Sequence, residues 1–134
     1  MVRLIVGKKG SGKTKTLIDS ANEALKNSKG KVVYIEKGSA MVYDLDSKVR
    51  LINIDEYKVD NYDALYGFIS GILACNYDVT DLFIDGIFKT VGKDVSKLAI
   101  LAEKVDNLTS DVNITFTVSC DAEELPDGAK KYIH

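Results

Sequence analysis

Five short apolar runs alternate along the chain with longer stretches whose apolar residues recur every three or four positions. The first pattern is that of strands and the second that of amphipathic helices. The strands fall at residues 2–6, 31–36, 49–54, 81–85 and 113–119. Val32-Val33-Tyr34-Ile35 and Leu82-Phe83-Ile84 are continuous rather than alternating, as strands buried on both faces are. Such strands with helices between them predict an α/β fold: a five-stranded, mainly parallel sheet in three α/β/α layers. Asn53 interrupts the third run and marks it as an edge strand.

Three helices follow from the spacing. The first covers about 13–27, with Leu17, Ile18, Ala21, Ala24 and Leu25 as its stripe and Gly30 closing it. The second covers about 62–75 behind Asp60 or Asn61 as cap, with Leu65, Ile69, Ile72 and Leu73 inward. Its Gly67 and Gly71, four residues apart, suit close packing of helix against sheet; a helix-pair seam is the alternative. The third covers about 95–108, with Val95, Leu98, Ala102, Val105 and Leu108 on one side. Asp121 and Glu124 are spaced to cap a brief last helix that Pro126 stops.

Composition narrows the class. At 134 residues the chain reads as one domain, 1–134. With 18 basic and 20 acidic residues, no overall positive field draws nucleic acid. Cys75 and Cys120 stand far apart without a C-x-x-C, which reads as reduced core thiols and a cytoplasmic setting. The sole histidine is His134, an improbable metal ligand. No apolar run reaches the length of a membrane span, and residues 1–6 lead straight into a glycine-rich segment instead of forming a signal peptide.

That segment carries the chemistry. Gly7-Lys8-Lys9-Gly10-Ser11-Gly12-Lys13-Thr14 satisfies G-x-x-x-x-G-K-[ST] between a predicted strand and a predicted helix that begins Lys13-Thr14-Lys15. In that setting the glycines turn backbone N–H groups onto phosphate oxygens, and the helix start adds unpaired donors. Lys13 would reach the β- and γ-phosphates and the Thr14 hydroxyl would ligate Mg²⁺. The expected ligands are ATP and Mg²⁺.

A partner carboxylate normally ends a buried strand beside such a loop. Asp85, following Leu82-Phe83-Ile84, fits that place; Asp55-Glu56 is the competitor. Glu36 closes the second strand, where it would orient or deprotonate an attacking water. Ser119 closes the fifth and would hydrogen-bond the γ-phosphate or the water.

In order of elements the chain resembles the core of the RecA-like branch of P-loop ATPases. The resemblance rests on the loop at 7–14, Glu36 in Val33-Tyr34-Ile35-Glu36, Asp85-Gly86, and Ser119-Cys120 after Phe116-Thr117-Val118. It implies a parallel sheet in the order 1-5-4-2-3, a base at Glu36, a metal-side acid at Asp85 and a sensor at Ser119. It further implies active sites between subunits of a homo-oligomer. The chain departs from that pattern in having no basic DNA-gripping loops after the fifth strand, where Asp121-Ala122-Glu123-Glu124 is acidic and repels phosphate backbones. The only arginines, Arg3 and Arg50, open strands and offer no finger to the site.

The functional expectation is an ATP-binding protein and slow Mg²⁺-dependent ATPase. The alternative is a nucleotide-gated protein-interaction module, with Phe88, Lys89, Thr90 and Lys93 as its switch. A nucleoside or small-molecule kinase is a further alternative. It ranks below these because such enzymes close an arginine lid that this composition lacks, though Asp55-Glu56 faintly resembles the acidic pair of thymidine-kinase-like enzymes. A GTP switch would need an Asp-x-x-Gly loop, and position 88 is Phe.

Overall fold

The computed structural model describes residues 1–38 and 44–134. Five strands form one sheet: β1 (Val2–Gly7), β2 (Lys31–Glu36), β3 (Arg50–Asn53), β4 (Val79–Ile84) and β5 (Asn113–Ser119). Their order is β1-β5-β4-β2-β3 and every pairing is parallel. The sequence expectation of sheet class and strand order therefore matches, with β3 at an edge. All carboxyl ends consequently lie along one margin of the sheet.

Helix α1 (Lys13–Asn27) packs Leu17, Ile18 and Ala21 on one face of the sheet, against Val32, Tyr34 and Phe83. The opposite face carries α2 (Tyr62–Cys75), α3 (Ile87–Val91), α4 (Val95–Leu108) and α5 (Asp127–Lys130) over Leu4, Ile35, Leu82, Ile84 and Phe116. Alternation along each strand sorts the residues between these two layers. None of the described helices is long and apolar enough to cross a membrane.

The three long helices begin and end where their periodicity puts them. Asn61, not Asp60, caps α2, its Oδ1 accepting the Ala64 N–H at 2.8 Å. Asp94 does the same for α4 through the Lys97 N–H at 3.0 Å.

Several expectations need correction. Gly67 and Gly71 lie exposed on α2, and an added Cβ at either meets nothing within 4 Å. They fall two residues, about 200° of turn, from buried Leu65 and Ile69, which carry the helix–sheet contact instead. Leu101 replaces Leu108 in the buried stripe of α4, and Leu108 is exposed. Cys75, at the end of α2, is exposed and is no core thiol, whereas Cys120 is buried. Gly30 does not end α1 by a left-handed turn; Ser28 caps it in extended conformation. Gly30 is required because a Cβ there would stand 1.9 Å from the Asp78 carbonyl oxygen.

The stretch after β5 is more structured than its spacing suggests. Glu124 Oε2 accepts the Asp121 N–H at 2.8 Å around a single 3₁₀ turn (Ala122–Glu124). Leu125 closes that turn, its N–H donating to the Ala122 carbonyl, and Pro126 stands at the N-cap position of α5 rather than ending the turn itself. Residues 132–134 then run beside the outer edge of β1, where the Leu4 N–H donates to the Tyr132 carbonyl at 2.8 Å.

Candidate functional site

The register aligns polar side chains at the carboxyl margin. Ile84 pairs with both Ile35 and Phe116, so the next residue on each strand, Asp85, Glu36 and Thr117, stands at one level. Two-residue alternation turns this row toward the α1 face, as Tyr34 and Phe83 below it show. Gly7 of β1 pairs with Ser119 of β5 in the row above.

The loop at 7–14 bridges β1 and α1 over this row. Gly12 precedes the helix at φ 86°, a left-handed conformation that a side chain would strain. Gly7 is confined differently, since a Cβ there would lie 2.5 Å from Ser11 Oγ. No side chain caps α1 and no acid occupies its first turn, so its leading N–H groups keep their donor capacity.

Lys13 folds back over the loop. Its Nζ donates to the Lys8 carbonyl at 2.9 Å and to Ser11 Oγ at 3.4 Å. The residue is only 8% exposed, and among the described residues no carboxylate lies within salt-bridge distance of it. A buried ammonium without a counter-charge is costly unless an anion completes it.

Thr14 and Asp85 meet across the loop–sheet junction. Thr14 Oγ1 donates to Asp85 Oδ2 at 2.9 Å, and Thr117 Oγ1 donates to Asp85 Oδ1 at 2.6 Å. Thr117 Oγ1 in turn accepts the Gly86 N–H at 2.7 Å. The Asp85 backbone is held by donation of its N–H to the Ile35 carbonyl at 2.9 Å. A cavity of 480 Å³ opens here, bounded by the loop, Asp85, Lys89 and Ser119.

Glu36 is buried beside Asp85, and its Oε1 has no hydrogen-bond partner among the described residues. Burial pushes its carboxyl above the usual range, the Asp85 charge adds to this, and the Lys89 ammonium partly offsets it. Tyr34, two residues earlier on the same face, also keeps an unpartnered hydroxyl. Burial first, then Asp85 and Glu36, hold that hydroxyl strongly in its neutral form.

Most of the expected site residues converge, but Glu36, buried beside Asp85, does not border the cavity. Lys9, Gly10, Gly12, Lys13, Thr14, Asp85 and Ser119 border the cavity, and Ser11 touches Lys13. Two lysines pair elsewhere: Lys8 of the loop lies 3.8 Å from Asp121, and Lys15 in the first turn of α1 donates from Nζ to Asp19 at 3.0 Å. The competing acids Asp55 and Glu56 lie exposed in a 3₁₀ turn after β3, at the far edge of the sheet from β1. They are no partner for Thr14. A larger cavity of 720 Å³ borders Arg3, Asp81, Asn113 and Thr115 at the starts of the strands, away from the loop. Size alone does not make it the site, because the glycine-rich turn and the paired Thr14–Asp85 side chains are elsewhere.

Thr117 is the functional candidate that sequence reasoning passed over. Its signal was present, since Thr117 and Ser119 share one face of β5 by alternation.

Among the described residues, no group of three or more His, Cys, Asp or Glu side chains is placed to hold a metal. Mg²⁺ keeps several waters and binds through one or two protein oxygens plus phosphates. The Thr14–Asp85 pair is a donor set of that kind. A scan of protein-family models and a search of curated proteins each find no match for the chain.

Proposed function

We propose that the chain binds ATP with Mg²⁺ at the loop of residues 7–14 and hydrolyses it slowly, as a small RecA-like P-loop ATPase. The observation that carries this reading is Lys13: a nearly buried ammonium aimed along a glycine-rich turn, lacking any described carboxylate partner. A triphosphate tail supplies the missing negative charge. Strand order, the Thr14–Asp85 contact and the placement of Glu36 support the same branch.

Mg²⁺ would neutralise charge on the β- and γ-oxygens. The remaining work belongs to the chain. Loop N–H groups from Gly7 to Lys15 and the Lys13 ammonium bind the phosphates, and Thr14 with Asp85 orients the cation's ligand shell. Glu36 is the candidate base: its raised carboxyl range brings it closer to neutrality, where proton acceptance is most effective. Ser119, exposed at the cavity rim, can donate a hydrogen bond to the γ-phosphate or to the water.

The test is titration calorimetry with ATP in the presence and absence of Mg²⁺, followed by phosphate release. Heat and turnover that vanish in Lys13→Ala support the reading. No heat at millimolar Mg-ATP overturns it.

One observation favours the nucleotide-gated alternative. The bonded series Thr14–Asp85–Thr117–Gly86 ends at the first turn of α3, so occupancy of the loop would be felt there. Slower hydrogen exchange over residues 86–94 on adding a non-hydrolysable ATP analogue, without turnover, would select it.

A further inference from the structure

The geometry points to Lys89 as a cation that contacts the terminal phosphate from the same chain and stabilises the charge that develops during its transfer. This inference rests on the proposed nucleotide site and adds a substrate-contacting residue to it.

Charge arithmetic raises the question. A triphosphate carries more negative charge than Mg²⁺ and Lys13 together neutralise, and phosphoryl transfer gains most from a further cation. Arginine commonly fills that place, yet here neither arginine can. Arg3 lies near the start of β1 and Arg50 opens β3, so in an all-parallel sheet both sit at the amino margin. By register Arg3 lies two residues below the Thr117 level and Arg50 three below the Glu36 level, about 7–10 Å along the strands, and Arg3 borders the other cavity.

The lysines are then sorted by what they already bind. Lys8 pairs with Asp121, Lys15 with Asp19, and Lys93 with Glu124. Lys37 Nζ donates to the Lys89 carbonyl. Lys9 borders the cavity but belongs to the loop itself. Lys89 borders it from α3, is exposed, and has no carboxylate within salt-bridge distance among the described residues.

Its position is not left to a flexible loop. Lys89 lies on α3, which starts at Gly86, and the Gly86 N–H is fixed by Thr117 Oγ1 at 2.7 Å. Thr117 also holds Asp85, which holds Thr14. The lysine's base is therefore tied to the same hydroxyl that orients the metal-side acid. A Cβ placed on Gly86 would lie 3.5 Å from Lys89 Cβ, so the side chain passes close over that residue.

In the reaction, water forms a new O–P bond to the γ-phosphorus as the bond to the bridging β-oxygen breaks. The electron pair of that bond leaves with ADP, and the water's proton passes to Glu36 and then to solvent. Lys89 exchanges no proton; it acts by charge on the γ-oxygens.

The experiment compares wild type, Lys89→Met and Lys89→Arg for binding of ADP, of a non-hydrolysable ATP analogue, and of ADP with aluminium fluoride, together with turnover. Lys89→Met is expected to bind ADP as wild type does, to lose the preference for analogue over ADP, and to lose turnover by about 100-fold. It should no longer take up aluminium fluoride, whereas Lys89→Arg recovers both properties. If Lys89→Met keeps wild-type turnover and analogue preference, the assignment of Lys89 is overturned while the nucleotide site stands. If wild type binds none of the three ligands, the site and Lys89 fall together.

Discussion

Thr117 holds Asp85 by a 2.6 Å hydrogen bond while accepting the Gly86 N–H at 2.7 Å. One buried hydroxyl therefore fixes both the Asp85 carboxylate and the backbone that follows it. Thr117→Val keeps the shape and removes both bonds, leaving a donor and a carboxylate oxygen short of a partner. The expected loss is about 1–3 kcal/mol in urea unfolding. Mg-ATP affinity should fall as well, and Thr117→Ser should restore most of each.

Lys13 and Asp85 should separate by their dependence on metal. Lys13→Ala removes the cation proposed to meet the phosphates, and nucleotide affinity should drop by roughly 10–100-fold with or without Mg²⁺. Asp85→Asn should leave metal-free binding nearly intact and abolish the gain that Mg²⁺ gives. Thermal shift across a magnesium series distinguishes the two; identical Mg²⁺ dependence in Asp85→Asn and wild type would remove Asp85 from the metal role.

Glu36 makes the fold pH-dependent in a defined direction. Its carboxyl is raised in the folded chain above the ordinary 4.5, first by burial and then by Asp85. Below 4.5 both folded and unfolded chains hold the proton. As pH climbs, the unfolded chain ionises first, and the stability that the neutral carboxyl contributes is lost through the folded-state value. Glu36→Gln cannot ionise. Its melting temperature should therefore gain on wild type as pH rises from 4.5 to 8, and a constant or shrinking gap would contradict the assignment.

Gly30→Ala tests the packing at the opposite margin of the sheet. The added methyl would stand 1.9 Å from the Asp78 carbonyl oxygen, which already accepts the Lys31 N–H at 2.8 Å. Relief requires displacing the start of β2 from β4, at a cost of about 1–3 kcal/mol. Urea unfolding should register the loss with nucleotide affinity unchanged, because the loop of residues 7–14 lies at the other end of the strands.

The chain's own pattern determined most of the architecture. Continuous apolar runs identified the buried strands, the three-to-four spacing bounded α1, α2 and α4, and Asn53 marked the edge. These signals are local: each strand or helix writes its burial into a few consecutive residues. The loop of residues 7–14 was legible for the same reason, since its glycines and Lys13-Thr14 act through adjacent backbone. Tertiary structure alone decided what depends on register between strands distant in sequence. It joined Thr14 to Asp85, left Asp55 and Glu56 exposed at the far edge, set Thr117 beside Asp85, left Tyr34 and Glu36 buried with unpartnered oxygens, and put Gly67 and Gly71 on an outer surface. Hydrophobic period tells which face a residue takes; it carries no information on which residue of another strand stands opposite, and the site is made of those oppositions.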